Sequence, residues 1–135
     1  MEYAPVDVGA TQHWKDEPDD QDYPAAENYL SLLMSAQAAK LAVRRLRRAP
    51  LVHRKAKDLL RASRLPVLAP DNLHVARDLK KVSSGQQLSP VLFLRGRLAA
   101  DIPLTVADGY HRTCASHHVD EDADIPCRIV DAARR

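Results

Sequence analysis

The chain has 135 residues, an apolar content of 45% and a formal net charge of +2, the profile of one soluble globular domain. No apolar run approaches the roughly 20 residues needed to span a bilayer, so a membrane-spanning segment is not expected. Residues 1–7 lack the basic and apolar blocks of a secretory signal, and two cysteines do not make a disulfide framework, so the expected location is cytoplasmic.

The first predicted elements are helical. Residues 1–22 are polar and acidic without a clear period, which predicts an extended or disordered lead-in. Pro24 suits the first turn of a helix, and the Ala- and Leu-rich stretch after it predicts a helix that runs to about Arg48. A break within this stretch is the alternative, because Ser35 and its neighbours can cap a second helix.

Two more helices are predicted before any strand. Residues 52–63 predict one of them, because apolar residues recur at helical spacing and basic residues fill the other face. A loop bounded by prolines then covers residues 65–70. Asp71 or Asn72 can cap the next helix, which is predicted to end near residue 83.

The hydrophobic period then changes, and three strands are predicted. Residues 90–94 form a short apolar run typical of a buried strand, and residues 104–107 form a second. A helix over residues 110–118 and an acidic turn precede the third strand, residues 125–130. Pro126 in this third strand indicates an edge position or a strand start, because proline cannot donate a ladder hydrogen bond.

Helices followed by a small sheet predict an α+β fold. Residues 1–22 are interpreted as an acidic, flexible lead-in, residues 23–68 as a helical extension and residues 69–135 as the core of the fold. The extension and the core are expected to form one compact domain.

The most specific motif is Asp-Gly-Tyr-His-Arg, residues 108–112, at the junction of a predicted strand and a predicted helix. The first backbone N–H groups of a helix have no intrahelical partner, and the helix dipole adds positive charge there. A helix start that carries His111 and Arg112 is therefore a predicted anion site, suited to a phosphate group.

Residues 71–130 resemble the ParB/sulfiredoxin-like fold, often called the ParB-like nuclease domain. The resemblance rests on the order of a helix, then Ser-Pro-Val-Leu-Phe-Leu, then Val-Ala-Asp-Gly-Tyr-His-Arg, then Ile-Pro-Cys-Arg-Ile-Val. It implies a mixed sheet in which a strand-turn-helix element contacts the phosphates of a bound nucleotide. The chain is also similar to small bacterial proteins that carry His-Arg-Lys-Ala-Lys-Asp-Leu-Leu and Asp-Gly-Tyr-His-Arg.

One departure from this family limits the chemistry that the resemblance implies. Sulfiredoxins carry a catalytic cysteine directly before His-Arg, and Tyr110 stands at that position here. Sulfinic-acid reduction is therefore not expected. The resemblance implies instead a nucleotide or a phosphorylated small molecule as the ligand, with Mg²⁺ and ATP or CTP as the candidate cofactors. Phosphotransfer or nucleotide hydrolysis is the candidate chemistry.

The residues of the motif have candidate roles and alternatives. Gly109 gives the turn its backbone freedom and lets a phosphate approach, although Asp-Gly turns are common. Arg112 can bind phosphate in a bidentate manner or pair with the acidic run 120–124. His111 can donate to phosphate or move a proton, or it can simply cap the helix. Tyr110 and Thr113 are further candidate phosphate contacts, with Thr113 otherwise on the helix surface.

Asp108 has three candidate roles: a helix cap, a magnesium ligand beside the phosphates, or a base toward a substrate hydroxyl. Asn72 and His74 occupy the region where relatives begin their nucleotide-site helix, so both are candidate ligand contacts. The alternative for Asn72 is a helix cap.

One further pattern concerns a transition metal. His111, Cys114 and His118 share one face of the predicted helix, which is a metal-ligand spacing on paper. The preferred interpretation is that Cys114 and Cys127 are small buried residues against the sheet.

The uneven distribution of charge supports an alternative function. Residues 1–24 contain seven acidic side chains and one lysine, whereas residues 40–64 contain ten basic side chains and one aspartate. The basic block can bind a protein or DNA partner, in which case the chain is a non-enzymatic interaction module. Otherwise the acidic block is a solvated tail that lies near the basic helices. Nuclease activity, suggested by the family label, is the third possibility.

Overall fold

A computed structural model describes residues 13–132, which form an α+β fold as expected. The helices are α1 Asp22–Leu30, α2 Ala36–Arg48, α3 Ala56–Ser63, α4 Leu73–Ser83 and α5 Tyr110–Val119. The strands are β1 Val52–Lys55, β2 Val91–Leu94, β3 Thr105–Asp108 and β4 Asp124–Val130, with a short 3₁₀ helix Leu98–Ala100 between β2 and β3. None of the helices in this part of the chain is long and apolar enough to cross a membrane.

The four strands form a mixed sheet in the order β1-β4-β2-β3. β4 pairs with β2 in parallel, while β1 and β3 pair antiparallel with β4 and β2 respectively. Because neighbouring strand residues point to opposite faces, Leu92 packs with α1 and α2, and Phe93 packs with α3 on the other face. The sheet therefore lies between two layers of helices.

The long helix predicted before Pro50 is two helices, as the alternative interpretation allowed. Ser35 is the N-cap of α2, and its side chain accepts a hydrogen bond from the Ala38 amide at 3.1 Å. The apolar residues of α2 lie on one face that packs against the sheet, and its basic residues are exposed. The Ser35 cap thus fixes where the chain turns back across the sheet.

The helix predicted over residues 52–63 is wrong in its first third. Residues 52–55 form β1, and the helix begins only at Ala56. The pairing of Val52 with Cys127 and of Lys55 with Asp124 explains the difference, because β4 presents backbone groups that a helix could not satisfy. The segment interpreted as a helical extension therefore contributes an edge strand to the sheet.

The edge position predicted from Pro126 needs a correction. β4 is an inner strand, flanked by β1 and β2. Pro126 lies in the first half of β4, opposite His53 of β1, whereas β2 pairs only from Cys127 onward. The missing N–H therefore falls where β4 has a neighbour on one side only, which is why an inner strand tolerates it.

The described part of the acidic lead-in packs on the core. Trp14 is 5% exposed, and it forms an isolated parallel bridge with Leu88. Asp22, the last residue of the predicted lead-in, is also buried. From residue 13 onward this segment is therefore not a solvated tail, and residues 1–12 lie outside the described part of the chain.

The N-cap of α4 offers a direct test of one predicted element. The Asn72 side-chain oxygen accepts hydrogen bonds from the His74 amide at 3.0 Å and from the Val75 amide at 3.2 Å. We expect Asn72→Ala to lower the free energy of unfolding by about 1 kcal/mol, measured by urea denaturation. Asp71→Ala, at the exposed neighbouring position, is the control. Equal losses in both variants would show that the cap contributes nothing specific.

Candidate functional site

A polar cavity of about 270 Å³ lies over the start of α5, between the segment 15–22 and α4. Charged and polar side chains make up most of its lining. They are Lys15, Asp19, Gln21, Asp22, His74, Arg77, Asp78, Lys81, Gln87, Ser89, Asp108, Tyr110, His111 and Arg112. We call this space the polar cavity. It brings together His74 and all five residues of the Asp-Gly-Tyr-His-Arg motif.

Gly109 makes the turn from β3 into α5. Its φ of 112° lies in the left-handed region, which side chains other than glycine rarely adopt. A Cβ atom here would stand 2.7 Å and 2.9 Å from the two methyl groups of Val91, which is fully buried in β2. No side chain caps the start of α5, so Gly109 leaves its first turn open toward the cavity.

Arg112 lies between two carboxylates. Its Nη2 donates to Asp108 Oδ2 at 2.9 Å, and its Nη1 lies 3.5 Å from Asp22 Oδ1. The side chains of Arg112 and Asp22 are only 16% and 7% exposed. The predicted alternative partner, the acidic run 120–124, is therefore not the partner of Arg112. A network of buried charges holds the guanidinium at the cavity wall.

Asp22 is one of several lining residues that the sequence interpretation missed; among the others are Lys15, Asp19, Arg77, Asp78, Lys81 and Ser89. Asp22 Oδ2 accepts a hydrogen bond from the Ser89 hydroxyl and another from the Asp19 amide at 3.2 Å. One signal was present in the sequence, because Asp22, Ala26 and Leu30 recur at the spacing of one helical face. All three are buried in the structure. An acidic residue at the start of an apolar face indicates a buried carboxylate.

Two carboxyl groups of the polar cavity have raised pKa values. Burial raises the pKa of Asp108, and the nearby Asp22 adds to this effect, while Arg112 opposes it. Burial likewise raises the pKa of Asp78, against the lowering effect of Arg112 and Lys81. Both groups hold a proton more readily than an exposed aspartate, so they can exchange one with a bound ligand closer to neutral pH.

His111 stacks near a second imidazole. The ring centroids of His111 and His74 are 4.7 Å apart. Burial lowers the pKa of His111, and His74 and Arg77 lower it further, while Asp78 acts in the opposite direction. The lowered pKa favours the neutral form of His111, which can accept a proton from a ligand hydroxyl.

Three residues that were predicted to contact the ligand make their side-chain hydrogen bonds elsewhere than in the polar cavity. The Thr113 hydroxyl donates to the Gly109 carbonyl at 2.9 Å, and the side chain is fully buried rather than on the helix surface. The Asn72 side chain caps α4. The Tyr110 hydroxyl donates to the Pro66 carbonyl at 2.6 Å, so this residue joins α5 to the loop before α4.

The pattern of His111, Cys114 and His118 does not form a metal site in the structure. Cys114 Sγ accepts from the Leu68 amide at 3.5 Å, and His118 Nε2 lies 2.7 Å from the Leu68 carbonyl. Both side chains therefore hold the loop at residues 65–70. Between residues 13 and 132, no group of three or more His, Cys, Asp or Glu side chains is arranged to hold a metal ion.

No family model, curated protein or solved structure matches the chain. The resemblance of the Asp-Gly-Tyr-His-Arg motif to one fold family therefore stays an expectation from the sequence. The function of the polar cavity has to be argued from its own geometry and charges.

Proposed function

We propose that the polar cavity binds the phosphate group of a nucleotide or a phosphorylated small molecule, in a fold of ParB/sulfiredoxin-like type. The observation that carries the proposal is the composition of the cavity wall. The wall contains the start of α5, which has no side-chain cap, and basic or imidazole side chains from three separate segments. These side chains are Lys15, His74, Arg77, Lys81, His111 and Arg112. Open N–H groups beside cationic side chains favour anion binding.

The distribution of ion pairs indicates which cations a ligand would meet. Asp108 and Asp22 already neutralise Arg112, and Asp19 pairs with Lys15 at 2.8 Å. Arg77 and Lys81 form no salt bridge with any other described residue. The charges of both act on the carboxyl group of Asp78 without an ion pair, and we infer that the ligand's phosphate binds Arg77 and Lys81 directly. Arg112, in contrast, positions Asp108.

The proposed chemistry is phosphotransfer or nucleotide hydrolysis. His111 would accept the proton of a hydroxyl or water that attacks the terminal phosphorus of the nucleotide, with Asp108 as a second base, while the bond from that phosphorus to the bridging oxygen breaks and the nucleoside diphosphate leaves. Mg²⁺ with ATP or CTP is the proposed cofactor. Asp108 and Asp22 offer the carboxylate oxygens that Mg²⁺ prefers, and phosphate oxygens would have to complete its coordination.

The proposal predicts different effects for two neighbouring lysines of α4. Lys81 borders the polar cavity, whereas Lys80 is exposed and does not. In titration calorimetry with pyrophosphate, ATP and CTP, each with Mg²⁺, we expect Lys81→Ala to weaken binding about three- to tenfold, because a charge-assisted contact is lost. Lys80→Ala removes the same charge and should leave the affinity unchanged.

The same titrations separate a phosphate site from other possibilities. Adenosine and cytidine, which lack phosphate, should bind far more weakly than the corresponding triphosphates. The proposal is wrong if none of the phosphorylated ligands binds at millimolar concentration. Equal losses in the two lysine variants would indicate long-range electrostatics rather than a site.

A second candidate function rests on the surface of α2 and β1. All ten basic residues between 40 and 64 are exposed. The basic side chains of α3 form salt bridges: Lys57 pairs with Asp122, and Arg61 pairs with Asp58. The basic side chains of α2 and β1 form no salt bridge within residues 13–132. This basic surface suits a nucleic acid backbone or an acidic protein.

We expect any DNA binding to follow this surface. Replacing Arg44 and Arg48 of α2 by Ala should weaken binding to duplex DNA in gel shifts at 50 mM salt and reduce the salt slope by about two phosphate contacts. Lys81→Ala should not change it. If wild-type protein shows no shift at 50 mM salt, the DNA version of this alternative is excluded.

A further inference from the structure

A second cavity, of about 820 Å³, follows the free edge of β3. Every residue from Leu104 to Asp108 borders it. Because neighbouring residues of a strand point to opposite faces, a cavity that touches all of them runs along the strand's edge. Among residues 13–132, β3 is the last strand of the sheet on this side, and β2 is the one strand that pairs with it. We call this space the β3 groove.

The walls of the β3 groove are apolar and partly exposed. One wall comes from α1 and the turn after it, and the other from residues after α3 and before β3. Tyr29 and Leu33 on the first wall are 44% and 54% exposed, and Ile102 on the second is 43% exposed. Such a cluster of exposed apolar side chains along one feature indicates a binding surface.

The two free edges of the sheet differ in kind. β1 carries His53, Arg54 and Lys55, all of them exposed, which is how natural edge strands discourage pairing with another chain. The bordering residues of β3 are Leu, Thr, Val and Ala, with the acidic Asp108 only at its end. Strand addition is therefore disfavoured at the β1 edge. The β3 edge is accessible from Thr105, because the Leu104 amide already donates to the Ala62 carbonyl at 3.0 Å, and a register shift opposite Leu92 and Phe93 interrupts its regular pairing near Ala107.

The ends of the β3 groove carry different charges. Arg95 and Arg97 lie near the start of β3, whereas Asp108 ends it. Arg95 is paired with Asp131 at 2.8 Å. The Arg97 side chain forms no hydrogen bond or ion pair with any other residue between 13 and 132. A strand that ran antiparallel to β3 would bring its carboxyl end to Arg97 and keep it away from Asp108.

We propose that the β3 groove binds the extended, apolar carboxyl-terminal segment of a partner protein, which pairs antiparallel with β3 as a fifth strand. The four residues of β3 span roughly 13 Å, enough for a segment of four or five residues. Backbone hydrogen bonds to β3 provide affinity, alternate apolar side chains enter the two walls, and Arg97 binds the terminal carboxylate.

The recessed position of the strand disfavours a second copy of this chain as the occupant. Helix α1 and the residues after α3 form walls on both faces of the β3 edge. Two such edges cannot approach each other closely enough to share hydrogen bonds, because the walls would collide first. A single extended peptide has no such walls and fits between them.

The test uses fluorescein-labelled hexapeptides of alternating Val and Thr and measures fluorescence anisotropy with the full chain. In an antiparallel pair only every second N–H faces the neighbouring strand. N-methylation of one set of alternate residues should therefore abolish binding, and N-methylation of the other set should leave it within about threefold. Amidation of the carboxyl terminus should weaken binding about tenfold.

Paired variants locate the site on the protein. Leu33→Asp should abolish peptide binding, whereas Leu32→Asp should not, because Leu32 is 80% exposed and does not border the groove. Arg97→Ala should reduce affinity about tenfold and remove the effect of amidation, while Arg45→Ala on α2 should do neither.

Three results would overturn the proposal. One is that no peptide binds at millimolar concentration. Another is that both N-methylated peptides bind equally well, or that dodecanoate binds more tightly than the free-acid peptide, which would indicate a site for aliphatic acids. The third is a concentration-dependent dimer in sedimentation velocity that Leu33→Asp dissolves, because the occupant would then be a second copy.

Discussion

Replacing Arg112 by Ala is expected to lower the free energy of unfolding at pH 7 by about 3–5 kcal/mol, as for other buried charges that lose their partner. Arg112 is the only cation within salt-bridge distance of Asp22 and Asp108 among the described residues, and both carboxylates are largely buried. Urea denaturation at fixed pH measures the loss. Arg95→Ala breaks an exposed pair with Asp131 and should cost less than about 1 kcal/mol.

The loss caused by Arg112→Ala should depend on pH. Arg112 lowers the pKa values of Asp108 and Asp78, so both rise further above their unfolded values in the variant. A carboxyl group with a raised folded-state pKa stabilises the protein fully below its unfolded pKa, near 3.8, and this contribution is lost as the pH rises through the folded-state value. The variant should therefore lie closer to wild type at pH 4.5 than at pH 7.5.

A second substitution distinguishes charge from packing. Adding Asp22→Asn to Arg112→Ala removes one of the two stranded carboxylates and should restore part of the stability at pH 7. A pH-independent loss, or a double variant less stable than Arg112→Ala alone, would mean that the guanidinium acts through packing rather than through its charge.

Gly109→Ala is expected to cost about 3 kcal/mol, because the backbone strain of a left-handed residue adds to a steric clash in the core. The Cβ would stand 2.7 Å from Arg112 Nη2, which can move at the end of its side chain, and 2.7 Å from a methyl group of Val91, which is fully buried in β2 and has little room to move. Gly85→Ala is the matched control. Gly85 also has a left-handed φ, of 85°, but a Cβ atom there meets nothing within 4 Å. The loss of stability in Gly85→Ala therefore measures the backbone strain alone, about 1 kcal/mol.

The difference between the two glycine variants measures the contacts that the new Cβ makes with Val91 and with Arg112. Thermal and urea unfolding should show Gly109→Ala as clearly the less stable, and Val91→Ala in the same chain should relieve part of its clash. If Gly85→Ala were as destabilised as Gly109→Ala, the close packing of the turn against β2 would contribute nothing to the difference in the free energy of unfolding.

Local patterns predicted the elements whose signals are local. The helix cap at Asn72, the buried strand at residues 91–94 and the helix start after Gly109 depend on neighbouring residues, and all three are confirmed. The helix predicted from Val52 was wrong over residues 52–55, which form β1, because Val52 fits a helical period equally well. Only its pairing with Cys127, 75 positions away in the chain, decides the matter.

The sequence predicted the candidate site as a single turn at residues 108–112. In the structure the site also includes ion pairs and hydrogen bonds to residues that are distant in the chain. The sequence placed His111, Arg112 and Asp108 together because they are neighbours in the chain. It did not place Asp22 and Ser89 beside them, although Asp22 lies 3.5 Å from Arg112. The helical spacing of Asp22, Ala26 and Leu30 indicates that Asp22 is buried but not which residues it contacts, so its pairing with Arg112 could be seen only in the folded chain.

The position of β4 has a consequence for how the chain is made. β1 and β2 do not touch each other in the sheet, and β4, the last strand in sequence, joins them. During synthesis the apolar faces of the first strands must therefore wait until residue 130 has left the ribosome. Closure of the sheet should therefore depend on contacts between residues that are distant in sequence, and the inner edges of β1 and β2 should stay unpaired until β4 is in place.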